Sequence, residues 1–168
     1  LLDRAEENEL HGPRREWSQR RACAVGESCV DQIKVGVNLS PAQFTTGTER
    51  GIVDGMLVHY GLPAERLELE VTEGLLLNNT DQVITALRQL REMNVGIAMD
   101  DFGTGYSSLS YLTRFPFSKI KIDRSFVADL SPARGNIDIV RAIVGLSEAL
   151  NVTVMAEGAE TSEQVDIL

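Results

Sequence analysis

An α/β fold with parallel strands is the class this 168-residue sequence predicts, on two observations. From Lys34 onward, short β-branched or apolar runs alternate with longer segments whose apolar residues recur at helical spacing. At the carboxyl end of each run stands a polar residue able to do chemistry. The predicted strands are "KVGVNL" (34–39), "RLELEV" (66–71), "VGIAM" (95–99), "SKIKID" (118–123) and "VTVMAE" (152–157). Between them lie the helical patterns "TERGIVDGMLVHYG" (48–61), "TDQVITALRQLREMN" (80–94), "SSLSYLTRF" (107–115) and "GNIDIVRAIVGLSEALN" (135–151).

Local punctuation supports the helices. Thr80 or Asp81 can cap the one in which Val83, Leu87 and Leu90 share a face, and Asn94 with Gly96 can end it. Ile137, Val140, Ile143, Val144 and Ala149 or Leu150 mark a second stripe, with Asn136 as a cap and Asn151 as a stop. Both stripes read as core. The segment "LLDRAEENEL" (1–10) has helical character, 11–29 is more basic and less regular, and "SEQVDIL" (162–168) opens another apolar pattern.

Composition narrows the functions. Hydrophobic residues make up 43% of the chain, enough for the core of a single domain. The net charge of −9 excludes general electrostatic attraction to DNA, RNA or an anionic membrane. An anionic ligand would need local cations, which metal ions can supply. No apolar stretch is long enough to cross a bilayer, and residues 1–9 lack the basic region of a signal peptide. A cytoplasmic setting is expected, with any membrane anchor of a parent protein lying outside this chain. Cys23 and Cys29 lack C-x-x-C spacing, and His11 and His59 stand in no ligand pattern, so reduced structural thiols are expected and zinc is not.

The residues closing the strands carry the chemistry: Asn38, Glu70, Asp100 with Asp101, Lys121 with Asp123, and Glu157. Asn38, Glu70, Asp100, Lys121 and Glu157 follow one another at about 20–36 residues, the length of a βα unit. Such residues sit on successive parallel strands, and in a (β/α) barrel those ends share one mouth. Alone, each has an ordinary reading: an Asp-Asp pair as a helix cap, Lys121 as a strand-edge lysine, Asn38 as a turn residue, Glu157 as the start of a loop, Glu68 and Glu70 as solvent-facing. Only their joint placement points to a site. Crowded carboxylates repel unless cations neutralise them, and all-oxygen donors favour a hard ion, Mg²⁺ or Mn²⁺, with room for two. Two such ions suit in-line displacement at phosphorus. The glycines after Asp101 permit a tight turn, and Ser107 and Ser108 open a helix whose N-terminus could attract phosphate.

The segments "VNLSPAQF" (37–44), "LELEVTE" (67–73), "MDDFGTGYSSLSYL" (99–112), "KIKIDRSFV" (119–127) and "VMAEGAET" (154–161) resemble, in order and spacing, the EAL domain of bacterial cyclic-di-GMP phosphodiesterases. The resemblance runs over 1–168 as one domain and implies a TIM-like (β/α) barrel of EAL type, incomplete at both ends. It also implies two Mg²⁺ or Mn²⁺ ions and hydrolysis of cyclic-di-GMP to linear pGpG. By the same resemblance Asn38, Glu70, Asp100, Asp101 and Glu157 match metal positions, with Asp100 the bridge. Lys121 matches the lysine that contacts the attacking water, and Glu157 has a base-like role. Glu73 matches the anchor of the D-F-G-T-G loop, and Glu160 the further acid near the second metal. Sensory or GGDEF-type domains and a homodimer are implied for the parent. The E-A-L glutamate and the Q-G-Y segment are expected before Leu1 and after Leu168, so residues 1–168 alone are expected to be inactive. The alternative is a non-catalytic cyclic-di-GMP receptor or signalling scaffold.

Overall fold

Alternating runs do become strands in the computed structural model, which describes residues 33–39, 49–77, 80–104, 112–131 and 136–168. β1 (Val35–Leu39), β2 (Leu67–Thr72), β3 (Gly96–Phe102), β4 (Lys119–Ile122) and β5 (Thr153–Ala156) lie side by side in chain order, each parallel to its neighbour. Parallel neighbours need crossovers. Those described are built from α1 (Glu49–Tyr60), α2 (Glu73–Leu77), α3 (Thr80–Glu92), α4 (Arg124–Ala128) and α5 (Asn136–Leu150), and α6 (Ser162–Ile167) follows the last strand. A 3-10 turn, Ala64–Arg66, leads into β2. Among the described residues, no helix is long and apolar enough to cross a membrane.

Period-2 alternation decides which sheet face is core. Val37, Leu39, Leu67, Leu69, Val71, Ile97, Met99, Ile120 and Ile122 are buried with Val53, Met56 and Leu57 of α1, Val83, Leu87 and Leu90 of α3, and Val140 and Ile143 of α5. Each such side chain contributes about 1.5–3 kcal/mol on removal from water. The residues between them in the strands face the other way, and the polar set lies there.

Asn94 ends α3 and Asn151 ends α5, each in the left-handed region, at φ 65° and 55°. After α3 the Val95 N–H donates to the Leu90 carbonyl at 3.3 Å and Asn94 N–H to Arg91 at 2.9 Å. After α5 the Val152 N–H donates to Ser147 and Asn151 N–H to Glu148, both at 3.0 Å. These closures satisfy the last carbonyls and turn the chain straight into β3 and β5.

Four expectations differ from this structure. Gly96 begins β3 instead of ending α3, and Thr80 and Asn136 are the first residues of their helices, not the residues before them. The third strand continues to Phe102, so the two aspartates lie inside it. Helices α2 and α4 have only five residues each, too few to show a helical period in sequence. Expectations for residues 1–10 and 11–29, with His11, Cys23 and Cys29, for 40–44 and for Ser107 and Ser108 fall outside the described residues.

Candidate functional site

Strand pairing assembles the polar residues on the face opposite the core. Asn38 pairs in register with Glu70, Thr72 with Asp100, and Lys121 with Met155. At the centre is the Lys121 ammonium, whose side chain is only 8% exposed. Its Nζ lies 2.7 Å from Glu157 Oε1, 2.8 Å from Asp100 Oδ1 and 3.1 Å from Glu70 Oε1. Burial alone would push the lysine pKa down, but contact with Asp100, Glu157 and Glu70 more than reverses this and holds it above the ordinary lysine value. Lys121 is therefore charged at neutral pH.

The paired aspartates owe their arrangement to a break in the ladder. Met99 pairs with Ile120 and Phe102 with Ile122, so Asp100 and Asp101 together oppose the single residue Lys121. That is a β-bulge, which lets two consecutive side chains escape strict alternation. Asp101 adopts φ 52°, and Gly103, two residues on, φ 99°. The Asp101 carboxyl titrates above its ordinary value, first through partial burial and then through repulsion from Asp100, Asp123 and Glu157, against a smaller pull from Lys121.

The chain after the bulge is held from two sides. Gly103 N–H donates to Glu73 Oε1 at 2.9 Å, joining the first residue of α2 to the turn after Asp101. On the other side the Phe126 ring occupies the place of a side chain at Gly103, since a Cβ there would stand 2.7 Å from Cε2. Thr104 closes the turn, its hydroxyl donating to the Asp101 carbonyl at 2.8 Å. Glu157 follows β5 directly, with its N–H donating to Ile122 at 3.2 Å. Asp123, at the end of β4, caps α4 by accepting from Ser125 N–H at 3.0 Å.

Of the residues singled out from sequence, Glu70, Asp100 and Glu157 meet at Lys121, and Asp101 adjoins them on the bulge. Asn38 is exposed and Glu160 lies in the exposed stretch before α6, where its N–H donates to Gln164 Oε1 at 2.7 Å. Neither shares the contacts that join the other acids to the lysine. The sequence reading missed a second ion pair on the same face, Lys119 Nζ to Glu68 Oε1 at 2.6 Å, with both side chains largely buried. Its signal was available: Lys119 and Glu68 each stand two residues before a member of the site, on the same side of their strands.

The donor chemistry fits a hard divalent cation. The acids offer only oxygen, and Asp100 Oδ1 is buried with only the Lys121 ammonium close beside it, at 2.8 Å. The carboxylates nevertheless converge on the lysine and not on one another. Among the described residues, no three acidic or imidazole groups stand close enough to hold a metal as they are.

The cyclic di-GMP phosphodiesterase NbdA of Pseudomonas aeruginosa is 39% identical over 168 residues, covering 98% of this chain and 22% of that protein. The chain spans about a fifth of the length of the curated relatives it matches first. Among solved structures, the PaMucR phosphodiesterase in complex with c-di-GMP superposes with a TM-score of 0.92 at 40% identity, covering 99% of this chain and 74% of that one. Klebsiella pneumoniae BlrP1 in a manganese and cyclic-di-GMP complex gives 0.84 at 33% identity over 95% of this chain and 41% of that one. The sheet is thus part of a TIM-like barrel of the EAL type. The EAL domain model matches residues 1–168, and the chain belongs to the EAL domain family.

Proposed function

We propose that this chain carries the reactive face of a metal-dependent phosphodiesterase that hydrolyses cyclic-di-GMP to linear pGpG. The observation that carries the reading is the meeting of Glu70, Asp100 and Glu157 on one buried lysine, beside Asp101 on a bulge. Relatives and neighbours named for this nucleotide support the substrate. On the resemblance, Asn38, Glu70, Asp100, Asp101 and Glu157 would hold two Mg²⁺ or Mn²⁺ ions, with Glu160 a further acid of the site. When bound, such ions supply positive charge to the phosphoryl oxygens and acidify the attacking water.

The chain's own groups do the rest. Lys121 brings a fixed ammonium that orients the water and offsets charge building at phosphorus. Water oxygen forms the new bond to phosphorus as the bond to the ribose 3′ oxygen breaks; a water proton passes to a carboxylate, and the departing 3′ oxygen takes up a proton from solvent. Glu157 suits that transfer, because its side chain is 38% exposed against 16% for Glu70 and 13% for Asp100. Glu73 holds the turn that presents Asp101. Sensory or GGDEF-type domains, a second copy of the chain and a cytoplasmic location are proposed on the resemblance.

The test is the full-length protein incubated with cyclic-di-GMP under a Mn²⁺ or Mg²⁺ titration, with products separated by chromatography. Metal-dependent pGpG is expected. One observation favours the receptor alternative: a cation of the chain itself, Lys121, already contacts all three carboxylates and offsets part of their charge. Nucleotide binding without product at any metal concentration would decide for that alternative.

A further inference from the structure

We propose that the Lys121 ammonium is the resident counter-cation of this site, that a divalent ion enters by taking carboxylate oxygens from it, and that Lys121 thereby sets how tightly the ion is held. The proposal rests on the divalent-ion reading above. A lysine ammonium has three N–H donors and no acceptor, and here three separate carboxylates, those of Glu70, Asp100 and Glu157, each lie within 3.1 Å of it. All three belong to the set that would ligate a metal. A hard ion binds carboxylate oxygen at about 2.0–2.6 Å, so it needs these same acids turned toward itself. Their present arrangement around the lysine is not one that could hold a metal.

Two cations cannot share one ring of oxygens without repulsion. Ion entry must therefore loosen some of the lysine's contacts, and part of the ion's binding free energy goes into displacing the ammonium. Once loosened, the ammonium is free to face the water and the phosphate. One residue thus acts as placeholder before the ion arrives and as catalytic group after it.

This predicts a divergence that a purely catalytic lysine would not show. Lys121→Met keeps an unbranched side chain one atom shorter than lysine and removes the charge, leaving three carboxylates that an added ion can neutralise. Mn²⁺ binding to the full-length protein, read by calorimetry without nucleotide, should tighten about tenfold in Lys121→Met, the size of effect one neighbouring charge has on a carboxylate. Turnover should fall in the same variant, and Lys121→Arg, which keeps the charge, should hold Mn²⁺ within about threefold of the parent. Equal or weaker Mn²⁺ binding by a folded Lys121→Met overturns the proposal while leaving the phosphodiesterase reading intact. Absence of Mn²⁺ binding in parent and variant overturns the divalent-ion reading and this proposal with it. Should Lys121→Met not fold, the parent decides: the ¹⁵Nζ resonance of Lys121 must move as Ca²⁺ is added, and a resonance that stays fixed through saturation overturns the proposal.

Discussion

Gly103 is the residue on which the loop beside the aspartates turns. Its φ of 99° lies where only glycine is comfortable, and the Phe126 ring fills the space of a side chain. Gly103→Ala is therefore expected to cost about 2–3 kcal/mol through backbone strain and overpacking together, measured by urea unfolding. A cost under about 0.5 kcal/mol would show that the turn does not depend on that close approach. Glu73 acts on the same residue through its hydrogen bond to Gly103 N–H. Glu73→Ala should remove about 1.5–3 kcal/mol of local protection, seen as faster hydrogen exchange at the Gly103 amide, and Glu73→Gln should retain most of it. Unchanged exchange in Glu73→Ala would reduce Glu73 to an acid favoured at a helix start.

Between elements, the Glu68–Lys119 pair is a second tie from β2 to β4 across β3, beside the contact of Glu70 with Lys121. Its 2.6 Å contact is buried, and Glu68 Oε2 has no hydrogen-bond partner, so the pair depends on its own attraction. Glu68→Gln or Lys119→Met alone leaves one buried charge uncompensated and should cost about 3 kcal/mol, whereas the double variant should recover a large part of it. A double-mutant cycle on unfolding free energy measures this, and strict additivity would mean that the two charges do not interact. Helix α6 offers a simpler case. Thr161 accepts from Gln164 N–H at 3.2 Å while Gln164 Oε1 accepts from Thr161 N–H at 3.0 Å, a reciprocal capping box. Thr161→Ala should cost about 1 kcal/mol, read by the same unfolding measurement.

At the scale of the whole molecule, three strands bring acids from separate parts of the chain onto one lysine on a fourth, and global stability inherits that lysine's titration. Because contact with Asp100, Glu157 and Glu70 raises the folded value, the stabilisation is fully present below the unfolded lysine value of about 10.4 and drains away as pH climbs through the raised one. Thermal melts of the protein should hold steady from neutral pH to about pH 10 and decline above it. Lys121→Met should lack the lysine's share of that decline. Superimposable alkaline profiles for parent and variant would contradict the assigned network.

The sequence by itself determined the strand runs, the stripes of α3 and α5 and the stops at Asn94 and Asn151, because each depends on neighbours within one or two turns of chain. It also made the candidate site legible, since one polar residue at the end of each run needs only parallel order to become a cluster. Tertiary structure alone decided the rest. The bulge that sets Asp100 and Asp101 together against Lys121 is a property of the β3–β4 pairing, not of either strand. The burial of Glu68 with Lys119 required a register spanning three strands, where local pattern allowed a solvent-facing glutamate. Above all, the convergence of Glu70, Asp100 and Glu157 on one ammonium is a balance of Coulomb attraction and desolvation between residues up to a domain's length apart. Local propensity carries no information about such a balance, which exists only once the sheet has formed.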